Sequence, residues 1–355
     1  MPKMIKTTYR WREDEAAEMR AQQSSAMEIT SLTAAKLRDI EVIVSGSADG
    51  SVMMRQAADG QLIDTSDMNH GSSVLSLGAG YLDQQLYIVS GSHGGLHAWN
   101  LNSSVPVWKY DLGLQLSTPA VIATQLNGQP VVITGSDEGV LHLLDFATGE
   151  LIRHIRLPHS RGITGLSASD VYSRQVLISG SYDGTICAYD LAEDHLIGGP
   201  LVHARPGESK SREGYSLSRD QINEADIGGL DRDPMKWVVS VAVGAVDNNP
   251  IAVSGGKDGT VRIWDFINGV SIGDPITYHR DAVGVKAVAA GNAAHRSIIA
   301  FVSGGQINLY DWGSRSGLVA IDPGASVNAV AIMPGGMVVV GCAKGLMAVE
   351  FRLPF

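Results

Sequence analysis

Basic residues are in short supply in this chain: 27 Lys and Arg stand against 37 Asp and Glu, for a formal charge of −10. Surfaces that hold nucleic acid or an anionic membrane carry the opposite sign, so neither is the expected partner. Cysteine is almost missing. Cys187 and Cys342 lie far apart, and free cysteines of this kind behave as small buried hydrophobes, which fits a reducing, cytoplasmic setting. No run of about 18 apolar residues is present to span a membrane. The stretch Met1 to Asp14 has no apolar core of the kind a secretory signal needs, which sets aside the glycosylation triplet Asn102-Ser-Ser104.

Glycine, in contrast, is plentiful, with 41 residues, and 44% of the chain is hydrophobic. The two are ordered. An apolar run, Ser-Gly, an Asp-Gly turn and a second alternating run ending in an aromatic-Asp pair recur along the chain. Ile251-Ala-Val-Ser-Gly-Gly-Lys-Asp-Gly-Thr-Val-Arg-Ile-Trp-Asp265 and Val176-Leu-Ile-Ser-Gly-Ser-Tyr-Asp-Gly-Thr-Ile-Cys-Ala-Tyr-Asp190 are the clearest copies. Alternation on both sides of Asp-Gly predicts a hairpin, because glycine accepts the positive φ of the turn. The turn glycines fall at Gly50, Gly94, Gly139, Gly184, Gly259, Gly305 and Gly345, spaced by 44, 45, 45, 75, 46 and 40 residues. A hairpin at this period marks a repeat architecture in which each unit buries its faces against its neighbours, with about 40–45 residues per four-stranded blade.

These residues resemble the WD-repeat family over roughly 29–353, most strongly in units four and five. There Ser179, Asp183, Gly184, Tyr189 and Asp190 match Ser254, Asp258, Gly259, Trp264 and Asp265. The wording of units four and five, such as Ile272-Gly-Asp-Pro-Ile276, is similar in style to actinobacterial WD-repeat proteins. The resemblance implies an all-β fold, a seven-bladed β-propeller of four-stranded antiparallel blades, and one domain over 1–355. Each unit reads strand a, strand b, the Asp-Gly turn, strand c and strand d. The chain runs out just after strand c of unit seven, and residues 4–11 alternate as a strand should, so they are expected to supply the missing strand and close the ring. Arg12 to Gln23, charged and free of Gly and Pro, reads as a short helix.

The long spacing holds an insertion, Ala204 to Pro234, where apolar alternation gives way to Ser, Gly and both signs of charge. In the family, loops from strand d to strand a share one rim with the Asp-Gly turns, which would put the insertion on that top face. Ser218 to Ala225 reads either as a short helix with Ser218 as its N-cap or as part of a solvated loop.

The resemblance also implies a structural tetrad: a His before strand a, a Ser or Thr ending strand b, the turn Asp, and the Trp of strand c. Blade four supplies His159, Ser179, Asp183 and Tyr189. Blade five supplies Ser254, Asp258 and Trp264, with its natural histidine, His203, separated from strand a by the insertion. Blade two keeps His70 but has His93 at the turn Asp position, and blade six keeps His279. A Ser/His/Asp set also suits nucleophilic catalysis, but here it reads as a buried network that pins the turn. No His/Cys/Asp cluster has metal spacing, His93 and His97 included, and neither a phosphate-binding loop nor a dinucleotide fingerprint is present, so no metal or cofactor is expected.

What remains is a surface. Positions just before the turn Asp and just before strand a gather aromatic and basic residues on consecutive blades: Arg161, Tyr182, Trp237, Lys257 and Arg280. Trp, Tyr and Arg most often anchor interfaces. The expected function is a non-catalytic scaffold that binds another protein, or an acidic peptide segment, on its top face. The rival reading is an enzyme or small-molecule site at the channel mouth beneath the insertion, and a third is self-association through the degenerate blades six and seven.

Overall fold

The apolar runs fold back on one another at turns that demand a left-handed backbone. All seven turn glycines have φ between 74° and 110°, a region L side chains rarely adopt. The computed structural model describes residues 6–12, 28–63, 68–101, 103–112, 120–203, 234–246, 249–277, 284–293, 296–333 and 336–352. Among them are seven antiparallel sheets, six of them meanders with strand order a-b-c-d and the seventh completed by a strand from the N-terminus. In blade four strand a is Ile163–Val171, b is Arg174–Ser181 and c is Thr185–Asp190. Blade five follows with Val238–Val246, Asn249–Gly256 and Thr260–Asp265.

The outermost strand departs from expectation in these two blades. Strand d of blade four is two short pieces, His195–Leu196 and Leu201–Val202, both paired with strand c. Strand d of blade five is split in the same way, into Val270–Ser271 and Ile276–Thr277. The cause is local. Each break holds a glycine at positive φ, Gly198 at 68° and Gly273 at 73°, two residues before a proline that cannot donate to the ladder.

The ring closes with the N-terminal strand, Lys6–Arg12, which pairs antiparallel with strand c of blade seven, Gly345–Arg352. That sheet therefore joins the two ends of the chain. The described residues also form seven buried hydrophobic clusters, each spanning two consecutive blades, the last joining Ile29 and Ile43 of blade one to Val339 and Leu346 of blade seven.

The recurrent Ser-Gly has its reason in these clusters. A Cβ added to the strand b glycine would stand 2.4 Å from Val74 at Gly46, 2.6 Å from Val238 at Gly180 and 2.5 Å from Val285 at Gly255. The glycine lets the next blade's first side chain lie against bare backbone. Polar side chains of the innermost strands add cross-links: Thr164 Oγ1 donates to the Val238 carbonyl (2.7 Å), and Asn328 Nδ2 to that of Ile29 (3.1 Å).

Candidate functional site: the top rim of blades four to six

Two sets of residues share one rim because the backbone ties them together. In blades one, four, five and seven the residue two before the turn glycine donates its N–H to the carbonyl of a residue just ahead of strand a: Ala48 to Glu28 (2.9 Å), Tyr182 to Gly162 (3.0 Å), Lys257 to Trp237 (2.8 Å) and Ala343 to Ser326 (2.9 Å). Neighbouring blades touch there too. A Cβ at Gly184, the blade-four turn, would lie 2.7 Å from the Lys236 carbonyl, and one at Gly284 would lie 2.8 Å from that of Lys257.

On this rim Arg161, Tyr182, Trp237 and Lys257 are all half-buried. The Tyr182 and Trp237 rings meet edge to face, with centroids 4.8 Å apart and planes at 67°, a geometry that aligns the positive edge of one ring with the face of the other. Trp237 Nε1 is buried without a hydrogen-bond partner among the described residues. Burial, reinforced by the nearby Asp137 carboxylate, raises the Tyr182 phenol above its ordinary pKa. Asp137, two before the blade-three turn glycine, is an acidic neighbour of Tyr182 on this rim. Arg280 lies outside the described residues, as do the insertion at 204–233 and most of 12–23. The two roots of the insertion are nonetheless together: His203 N donates to the Gly184 carbonyl (2.9 Å), and Lys236 lies against the same glycine.

Beneath this rim lie the histidine networks. In blade five His203 Nδ1 lies 2.8 Å from Ser254 Oγ, and Nε2 lies 3.0 Å from Thr260 Oγ1 and 3.4 Å from Asp258 Oδ1. Trp264 Nε1 donates to Ser254 Oγ at 2.8 Å. His203 thus reaches its place despite the insertion that follows it. Burial pushes the Asp258 carboxyl up, but hydrogen bonds and charge from His203 and the Thr260 amide outweigh it, so the pKa falls below the usual range. In blade four His159 lies 2.8 Å from both Ser179 Oγ and Thr185 Oγ1.

Tyr189 departs from the tetrad arrangement. Its hydroxyl donates to Asp194, which also pairs with Arg153 of blade three. The phenol oxygen stands at the tip of the ring, unlike an indole N–H, and it links blades three and four through Asp194. Ser179 and Ser254 are fully buried, and their hydroxyls face these networks. Burial, with Asp183 nearby, pushes the Cys187 thiol up to about 12.

In blade two His70 lies 2.8 Å from Ser90 Oγ and stacks on His97, with centroids 3.9 Å apart and planes within 10°. His97 therefore pairs with His70 and not with His93, a contact invisible in linear spacing. Among the described residues no three His, Cys, Asp or Glu converge as metal ligands, and no helix is long and apolar enough to cross a membrane.

Burial holds the stacked imidazoles down to about 4 each, His70 helped by His97 and Lys109, and His97 by Lys109. Unfolded histidine protonates near pH 6.5. Between the two values the unfolded chain binds more protons, so stability is complete above about pH 6.5 and declines as the pH falls towards 4. Melting temperatures at pH 7, 6, 5 and 4.5 are expected to drop progressively, and His97→Gln is expected to flatten that drop.

The fold is a seven-bladed propeller, and its sequence units straddle the blades. The family model described as "WD domain, G-beta repeat" matches residues 149–190 and 235–265. The first match covers strand d of blade three with a, b and c of blade four, and the second a, b and c of blade five. The chain is thus a seven-bladed β-propeller that carries matches to WD repeats at blades four and five. No curated protein matches the chain.

Proposed function

We propose that the chain is a rigid, non-catalytic platform that binds another protein through the top rim of blades four to six. The observation that carries this reading is the edge-to-face Tyr182–Trp237 pair, with the Trp237 indole N–H left without an acceptor at a half-buried position. Aromatic anchors of this kind, ringed by side chains that exclude water, supply most of the energy of typical interfaces. Arg161, Lys257 and Arg280 supply positive charge, which favours an acidic segment of the partner, and Asp137 sets a limit on how acidic that segment is where it crosses Tyr182. Turns held on a stiff ring lose little conformational entropy on binding. The two buried, unpaired cysteines suit a reducing, cytoplasmic setting.

The test is capture of partners from the source cells with the intact chain and with a Trp237→Ala, Lys257→Glu variant of unchanged secondary structure. A stoichiometric partner held by the intact chain and lost from the variant is the expected outcome. Equal capture by both rules out this rim as the binding surface.

A further inference from the structure

Blade two departs from its neighbours around one imidazole. In blades four and five the turn reads Asp-Gly-Thr, and in blade five the carboxylate and the threonine hydroxyl both reach the outer nitrogen of His203. Blade two reads His93-Gly94-Gly95 over the same stretch, and His93 is exposed. The threonine position is closed to any side chain, because a Cβ on Gly95 would stand 2.3 Å from the Tyr110 carbonyl oxygen.

The inner half of the network survives. Trp99 Nε1 donates to Ser90 Oγ (2.8 Å), and His70 Nδ1 lies 2.8 Å from the same oxygen. The Ser90 hydroxyl proton has two acceptors in reach, His70 Nδ1 at 2.8 Å and the His97 carbonyl at 3.5 Å. With the Ser90 hydroxyl donating to His70 Nδ1, the tautomer we assign, the imidazole proton sits on Nε2. Among the described residues nothing accepts a hydrogen bond from His70 Nε2.

Where blades four and five hold a carboxylate and a hydroxyl, blade two has a hollow of about 320 Å3, lined by His70, Ser72, His93, His97, Lys109 and Tyr110 among others. His97 stacks on His70, and its buried Nδ1 has no partner. Lys109 is exposed and sits directly across the strand pair from His97. Asp111, at the edge, is the one carboxylate in the lining, and it has partners of its own. The lining thus holds several donors, one ammonium group and one carboxylate, and its size falls at the lower end of small-ligand pockets.

We propose that this hollow binds the carboxylate of a small organic acid. The bound carboxylate occupies the place of the turn aspartate in blade five, accepting from His70 Nε2–H, with Lys109 as counter-charge. Such charge-assisted hydrogen bonds are among the stronger polar contacts. The site is on blade two and does not depend on the rim of blades four to six.

The test is a titration of the full chain with succinate, followed through the imidazole C–H resonances of His70 and His97. The expected result is a saturable shift of both. Lys109→Gln, a change at an exposed position, is expected to weaken binding by about tenfold, as loss of one charged hydrogen bond does. His93→Asp restores an internal carboxylate and is expected to abolish binding while raising the melting temperature. Absence of a saturable shift in the intact chain overturns the proposal, as does equal affinity in the intact chain and both variants. Tighter binding of inorganic phosphate, or of a blocked glutamate-rich peptide, overturns the assignment to a small carboxylic acid.

Discussion

Deleting residues 1–12 is expected to destabilise the whole ring, by roughly 3–5 kcal/mol, and to make the chain self-associate. The N-terminal strand pairs with blade seven at six positions, from Lys6 opposite Arg352 to Arg12 opposite Met347, and the backbone hydrogen bonds of such a ladder are worth about 1 kcal/mol each. Its loss leaves Gly345–Arg352 as a bare edge, and unpaired edges recruit other strands. Blade seven also packs against blade one through Ile29, Ile43, Met333 and Leu346, so loosening it opens the ring at its only seam between chain ends. Thermal unfolding and sedimentation of the truncated chain check this. A truncated protein that melts with the intact one and stays monomeric would show that the strand closes nothing.

The second large effect is expected at His203. The side chain is fully buried and lies within hydrogen-bonding reach of Ser254, Thr260 and Asp258. His203→Ala removes these bonds at about 1 kcal/mol each and leaves a cavity, for a total of about 3–4 kcal/mol. His70→Ala is expected to cost distinctly less, since His70 reaches its serine but, among the described residues, has no acceptor on its other nitrogen. Urea unfolding of the two variants gives the comparison, and equal losses would contradict the ranking. The difference matters for function, because His203 anchors one root of the insertion at the rim where the partner is proposed to dock.

Much of this architecture is readable from residues alone. The seven turn glycines all take the positive φ that Asp-Gly hairpins require, and the alternating residues near the N-terminus supply the missing outer strand. What escaped were contacts between residues distant in sequence. His203 stands a whole insertion away from its blade, yet Ser254 and Thr260 sit at the ends of strands that meet there. The stack of His70 on His97 joins a loop to a strand, and nothing in a linear pattern encodes it. Tyr189 matched the tetrad tryptophan by position, but a phenol and an indole present their polar atoms at different distances from the backbone. The outer strands of blades four and five pair on one side only, so the Gly and Pro between their halves interrupt them freely. Asp137 shows the limit of counting charges: it precedes its turn as Tyr182 and Lys257 do, and it places an acid within an otherwise basic arc.

The claim that the top rim of blades four to six is the binding surface is tested most directly by hydrogen exchange on the chain with and without its captured partner. Slowed exchange is predicted at the amides around Arg161, Tyr182, Trp237 and Lys257. Protection confined to the opposite rim, where Ile152 and Tyr172 stand exposed, would contradict the account.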